Sequence, residues 1–240
     1  MWQAFIWGAL ATSSLLLGGI FACGFSLSRR SLGLLMGFGA GTLISAVSYE
    51  LVFESVHRSH GSGVPAIGFF AGAMCFYLCD RWISRLSAGP SNLAIPMLLG
   101  IILDGIPESV VIGLGILEHQ SVSLAMLVAI FLSNLPEAVA GTVGMQDSGW
   151  SRCRILGLWL VIAVVCSLAS AFGYSLFSGA PKDWLSLIQA FAGGAILVML
   201  ANSMIPESYV HGGKLAGLFT VLGFFTSVSI VVAEATRSAP

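Results

Sequence analysis

Eight apolar runs, each long enough to cross a bilayer, fill almost the whole of this 240-residue sequence and leave only short polar breaks. A membrane-spanning helix needs about 20 predominantly apolar residues, and in hydrocarbon a run of that kind must satisfy its backbone internally, as a helix does. The runs fall at 4–27, 34–53, 64–83, 95–117, 122–145, 155–177, 185–205 and 215–233. The expected fold is an all-α membrane protein of about eight transmembrane helices, a single integral membrane domain over 1–240 with no soluble domain left over. Composition agrees, since 57% of residues are hydrophobic and 9% charged, against about 25% charged in soluble domains.

The net charge of −1 and the lack of any Lys/Arg block set nucleic acid aside as a partner. The start, Met-Trp-Gln-Ala-Phe, lacks the basic segment of a cleavable signal and reads as the first helix. Five cysteines, Cys23, Cys75, Cys79, Cys153 and Cys166, do not form a disulfide framework. Cys75 and Cys79 share a face of the third helix, where buried packing is a plainer role than soft-metal binding.

An even number of spans puts both termini on one side. Arg29, Arg30, Arg81, Arg85, Arg152, Arg154 and Lys214 lie by the first, third, fifth and seventh connections, against Arg58, Lys182 and Arg237 on the other side. By the positive-inside rule the first set is cytoplasmic. The termini are therefore expected outside, in a plasma or bacterial inner membrane.

An internal repeat appears when Phe38 is set against Phe191, which also aligns Gly41 with Gly194, Glu54 with Glu207 and Ser55 with Ser208 at an offset of 153. Five spans separate the second helix from the seventh, so the copies run in opposite directions, as in many secondary transporters. Asp104-Gly-Ile-Pro-Glu108 in the fourth helix and Ser133-Asn-Leu-Pro-Glu137 in the fifth align at an offset of 29, again on antiparallel neighbours. The expected arrangement is 3+2+3: inverted repeats 1–83 and 155–233 around a central helix pair in 95–146.

Ionisable residues well inside a span are costly and point to function. Asp104 and Glu108 are four residues apart and share one helix face, as do Ser133 and Glu137. If those faces meet, three carboxylates, the Ser133 hydroxyl and the Asn134 amide converge. No Lys, Arg or His lies inside either helix, so a bound cation or shared protons must balance the charge. Pro107 and Pro136 remove the hydrogen bonds to the carbonyls of Leu103 and Leu132, freeing both oxygens to face a pathway. Ordinary proline-kinked helices whose glutamates bond to a neighbour are the bland alternative.

Pro206-Glu207 repeats the theme a third time. With the assigned topology Glu54 ends the second helix at the outer face and Glu207 ends the seventh at the inner face. His57 and His60 follow Glu54, and His211 follows Glu207, so each mouth is a candidate metal-collecting cluster, with exposed loop histidines as the alternative. Glu50 belongs with the outer group, and Asp80 reads as an interfacial ion pair with Arg81.

At these motifs the sequence resembles the ZIP (Zrt-/Irt-like) family of divalent-metal transporters over essentially the whole chain. The family's His-Asn-x-Pro-Glu-Gly corresponds to Asp104-Gly105-Ile106-Pro107-Glu108-Ser109, and its second Pro-Glu motif to Ser133-Asn134-Leu135-Pro136-Glu137-Ala138. The Met204-Ile-Pro-Glu207 ending and the Phe-x-x-Gly run of the seventh helix are similar too. The resemblance implies outward termini, homodimers in membrane lipid, alternating access, and a metal site between the fourth and fifth helices. It carries Glu108, Asn134 and Glu137 over by identity, and Asp104 and Ser133 by position. The divalent ion (zinc, manganese or iron) is substrate, and no organic cofactor is implied.

The chain departs from the family at Asp104, Gly105 and Ser133. It also has Asn202 and Ser203 where acids precede Met-Ile-Pro-Glu, and no histidine cluster follows its third helix. An oxygen-only site tilts from Zn²⁺ toward Mn²⁺ or Fe²⁺, although Zn²⁺ also accepts carboxylates. The acids must lose protons to bind metal, so uptake is expected to weaken in acid. Rival readings are a proton-coupled carrier of an organic solute and a metal sensor disabled for transport. An enzyme is not expected: all four histidines lie in or next to loops, His-Glu-x-x-His is absent, and Asp104 is the lone mid-span aspartate.

Overall fold

The computed structural model describes residues 1–25, 27–86, 94–119 and 122–238. The connection expected to lack histidines, 87–93, lies outside the described residues. Every element among the described residues is helical. Among the described residues, eight helices are long and apolar enough to cross a membrane: Trp2–Gly24, Arg29–Arg58, Val64–Arg85, Leu99–Leu117, Leu124–Asp147, Arg152–Leu176, Lys182–Gly212 and Leu215–Glu234. They are called the first to eighth spans below.

Serines start three of the helices. Ser28, Ser123 and Ser151 each accept a hydrogen bond from the backbone N–H three residues on, at 3.1, 3.2 and 3.4 Å. That satisfies one of the donors a helix start leaves open. The seventh span ends at Gly213, whose φ of 62° and ψ of −151° form a positive-φ conformation open essentially to glycine alone.

The second and seventh spans are longer than their apolar runs, because helix continues through Arg58 and Gly212 past the polar residues. Each contains a π-helical stretch, Val47–Phe53 in one and Leu200–Met204 in the other. A π turn inserts a residue and rotates the rest of the helix about its axis, and it is common at functional sites. Because helix continues past them, Glu54 and Glu207 stand inside helices, each about one turn to one and a half turns from the end, not at helix ends as expected.

Two crossings hold the peripheral spans. Gly41 on the second span lies against the Thr220 carbonyl of the eighth, and Gly223 of the eighth lies against the Phe38 carbonyl of the second. In the same way Gly194 on the seventh meets the Phe69 carbonyl of the third, and Gly72 of the third meets the Phe191 carbonyl. A Cβ at any of the four would collide with backbone, which is the packing that small residues permit between membrane helices. The third and eighth spans are otherwise the least buried, with outward apolar side chains such as Phe70 and Phe225, and the second and fifth are the most buried.

Within the bundle the first span packs on the fifth and sixth, and the sixth on the fourth. Trp159 of the sixth span is fully buried and donates its indole N–H to Thr142 of the fifth at 2.8 Å. The fourth and fifth spans touch each other only sparsely, and the second span lies along the fifth.

Candidate functional site

Both proline motifs sit inside unbroken helices, since helix runs through Pro107 and through Pro136. A proline that cannot donate leaves the carbonyl four residues back without its partner. At Leu132 that oxygen does not face an open pathway as expected. It lies against Gly39 of the second span, where a Cβ would come within 2.9 Å of it. The freed carbonyl therefore marks the point where the second span leans on the fifth, one residue from Ser133.

Glu108 and Asn134 are brought together. Glu108 is 1% exposed and Asn134 3% exposed. Their side chains interact across the junction of the fourth and fifth spans, yet Glu108 Oε2 and Asn134 Nδ2 are buried without a hydrogen-bond partner that meets ordinary geometry. Leaving two such groups unsatisfied in a dry interior is expensive, by about 1–3 kcal/mol each; the carboxylate oxygen is open to a cation or a proton, whereas the amide Nδ2, a donor, is completed only by an acceptor.

Glu137 lies one turn along the fifth span, within electrostatic reach of Asp104, Glu108 and Glu207. It and Asp104 are half-buried, and no ion pair reaches Asp104, Glu108 or Glu137 among the described residues. Ser133 is fully buried, but its hydroxyl donates to the Ile130 carbonyl of its own helix at 3.0 Å. The acids thus share one neighbourhood without closing on a single point: among the described residues, no three His, Cys, Asp or Glu side chains sit close enough to hold one ion.

Access is asymmetric. On the side toward Glu54, Val111 and Ile112 follow Glu108 by one turn on the same helix face, and both are buried, as are Met126 and Ile130 of the fifth span. Above that apolar layer a small cavity is lined by Glu50, Ser123 and Gln189 together with Val111, Ile112 and Met126. On the side toward Glu207 the partly exposed groups begin, with Asp104, Glu137 and Glu207 all half-buried and Asn202 and Ser203 of the π segment exposed.

The mouth residues are not assembled as metal clusters among the described residues. Glu54 Oε1 accepts from Arg58 Nη2 at 2.9 Å, and Arg58 Nη1 also donates to Gln189 of the seventh span at 3.1 Å. A guanidinium on the carboxylate leaves Glu54 a poor cation ligand. His57 is helical and exposed, its ring stacked on Phe53 with centroids 6.2 Å apart, and His60 is exposed in the turn at φ 52°. His211 is half-buried on the face that Gly33 of the second span approaches. The two mouths differ in kind, because the 153-residue offset sets His211 where Arg58 stands.

Three further residues bear on the site. Asp80 forms no ion pair with Arg81, because consecutive helical residues point about 100° apart; Arg81 instead donates to Tyr77 at 3.1 Å, and Asp80 lies toward Asp104. Cys166 of the sixth span is fully buried beside Gly105, where a Cβ would come within 2.8 Å of its sulfur, and close to Ser109 and Glu108. The small residue after Asp104 is the sequence signal for such a neighbour. Glu234 caps the fifth span from the eighth, and nothing in its sequence surroundings singles it out. Cys75, expected to be a buried packing residue, is exposed on the outer face of the third span.

No protein-family model matches the chain.

Proposed function

We propose that this chain carries divalent metal cations across a membrane toward the cytoplasm, through a site between the fourth and fifth spans. One observation carries the reading: a fully buried carboxylate, Glu108, has an unpartnered oxygen beside an unpartnered amide, Asn134, with Glu137 and Asp104 nearby and no cationic side chain paired with any of them among the described residues. A cation arriving there supplies Glu108 Oε2 with its missing interaction and the neighbouring carboxylates with a counter-charge, while Asn134 Nδ2, a donor, takes no part in binding it. Its arrival also has to draw the carboxylates closer than they now stand.

The resemblance of the Pro-Glu motifs to the ZIP family supports this assignment, as do three features of the packing. The reciprocal glycine crossings of the second with the eighth span and of the seventh with the third are what an inverted repeat produces. The two π-helical stretches begin at Val47 and Leu200, which are 153 residues apart, the offset that aligns the repeats in sequence. The sparse contact between the fourth and fifth spans suits a 3+2+3 arrangement whose central pair parts and closes during alternating access.

With termini outside by the charge bias, the apolar cover over Glu108 faces outward and Asp104, Glu137 and Glu207 face the cytoplasm. The conformation is then inward-facing. The oxygen-rich site suits Mn²⁺ or Fe²⁺, while the nearby Cys166 thiol is a soft donor that argues for Zn²⁺. The outward apolar faces of the third and eighth spans are available for lipid or for a second copy in a homodimer.

A proton-coupled carrier of an organic solute is the second reading, favoured by the fact that no three ligands yet converge among the described residues. Flux of Zn²⁺, Mn²⁺, Fe²⁺ and Mg²⁺ into liposomes holding the purified protein separates the two. Metal flux that a Glu108→Ala, Glu137→Ala double variant abolishes supports the transporter reading. Proton movement without metal flux supports the second.

A further inference from the structure

The eighth span is peripheral, yet its last turn reaches into the start of the site-bearing fifth span. Glu234 Oε1 accepts the backbone N–H of Leu124 at 2.8 Å, and Oε2 accepts that of Ala125 at 3.4 Å. Ser123 Oγ accepts the next amide, that of Met126, at 3.2 Å. The first open donors of the fifth span are therefore divided between its own cap and a carboxylate from another helix. A negative group at a helix start is also favoured by the helix dipole.

The tie is local to the ends of the two helices. Beside it a groove runs along the eighth span, lined by Phe225, Ser229, Ile230, Ala233 and Glu234, with Leu124 as the residue of the fifth span that borders it. The eighth span is anchored elsewhere, through Gly223 on the Phe38 carbonyl of the second span and Thr220 against Gly41. Glu234 therefore joins the fifth span to a helix whose main attachment is to the second.

Its place along the bundle gives the tie a consequence. Ser123 and Met126 of the capped turn line the small cavity at the Glu50 mouth, together with Val111 and Ile112, which stand one turn from Glu108 on its own helix. Glu50 on the second span is a neighbour of both Ser123 and Glu234. Any movement that opens this mouth by shifting the start of the fifth span away from the second and eighth must first break the Glu234 bonds.

We propose that Glu234 is a latch: its carboxylate holds the first turn of the fifth span against the eighth and keeps the Glu50 mouth closed over Glu108. The latch rests on the reading of the Glu108 site as a crossing point, but not on which ion crosses. It acts as a positioning residue and touches no substrate.

The test is the rate at which an impermeant thiol reagent labels a cysteine placed at Ile112, in the apolar cover, with the five native cysteines replaced by serine or alanine. It is measured on oriented liposomes without metal, so its outcome is independent of the metal assignment. Glu234→Ala is expected to speed labelling from the Glu54 side about tenfold, equivalent to about 1.4 kcal/mol, and to leave or slow labelling from the Glu207 side. Glu234→Gln retains an acceptor for one of the two amides and should fall between; it carries the test if the alanine variant does not stay folded. Equal labelling in native and variant proteins, or acceleration equal from both sides as general loosening would give, overturns the proposal.

Discussion

Asn134 on the fifth span faces Glu108 on the fourth, and the Asn134 Nδ2 and Glu108 Oε2 atoms are both buried without a partner. A protein that keeps two such atoms unsatisfied, at about 1–3 kcal/mol each, has a site whose resting state is incomplete. A cation or a proton completes the Glu108 oxygen; the Asn134 Nδ2 donor needs an acceptor.

Glu108→Gln removes the charge and keeps the shape. Metal flux should fall at least about tenfold, the equivalent of about 1.4 kcal/mol, while the melting temperature in detergent holds or rises, because an uncompensated buried charge is itself destabilising. The native protein should melt higher with added metal, by about 2.7 kcal/mol at a hundred times the dissociation constant, and the variant should not. A variant that transports as well as the native chain removes Glu108 from the pathway.

Acid should inhibit. The carboxylates of Asp104, Glu108 and Glu137 must be ionised to hold a metal, and protons compete for the same oxygens. Uptake measured from neutral pH downward should decline steadily, and the decline should shallow when Glu108 is replaced by glutamine. A rate that stays flat across that range counts against carboxylate ligation.

The two helix crossings should respond alike. Gly41→Ala drives a methyl into the Thr220 carbonyl, and Gly194→Ala drives one into the Phe69 carbonyl. Because backbone cannot swing aside, each should cost about 1–3 kcal/mol, the usual range for overpacking. Gly157→Ala and Gly217→Ala, which meet nothing within 4 Å, should be neutral or slightly stabilising in thermal melts. Similar tolerance at all four positions would dissolve the argument from close packing.

Arg58→Ala tests the mouth. The Arg58–Glu54 pair spans 2.9 Å with side chains 13% and 31% exposed, and Arg58 also donates to the buried Gln189, so the stability lost should be about 1–3 kcal/mol. Freed from its guanidinium, Glu54 should attract cations, and initial uptake at low metal concentration should rise. Unchanged uptake would remove Glu54 from the entry route.

Much of the candidate site is legible without coordinates. Asp104 and Glu108, and Ser133 and Glu137, have to share helix faces because four residues make about one turn, and the structure keeps each pair on an unbroken helix. The partnerships are less legible. Glu54 stands in sequence with His57 as a ligand pair but is bound by Arg58, Asp80 adjoins Arg81 but turns toward Asp104, and the Leu132 carbonyl meets Gly39 instead of a pathway. Cys166 has no motif around it, yet it stands beside Gly105.

The sequence by itself determined that there are eight helices, roughly where each runs, and which acids they carry into the membrane. Those properties are local: in hydrocarbon a helix satisfies its own backbone, so about 20 apolar residues specify it without reference to any neighbour. Only the tertiary structure decided which way each helix turns. Between membrane helices there is little hydrophobic force to signal a buried face, and rotation is set by small residues and carbonyls far apart in sequence, such as Gly41 with Thr220 or Glu234 with Leu124.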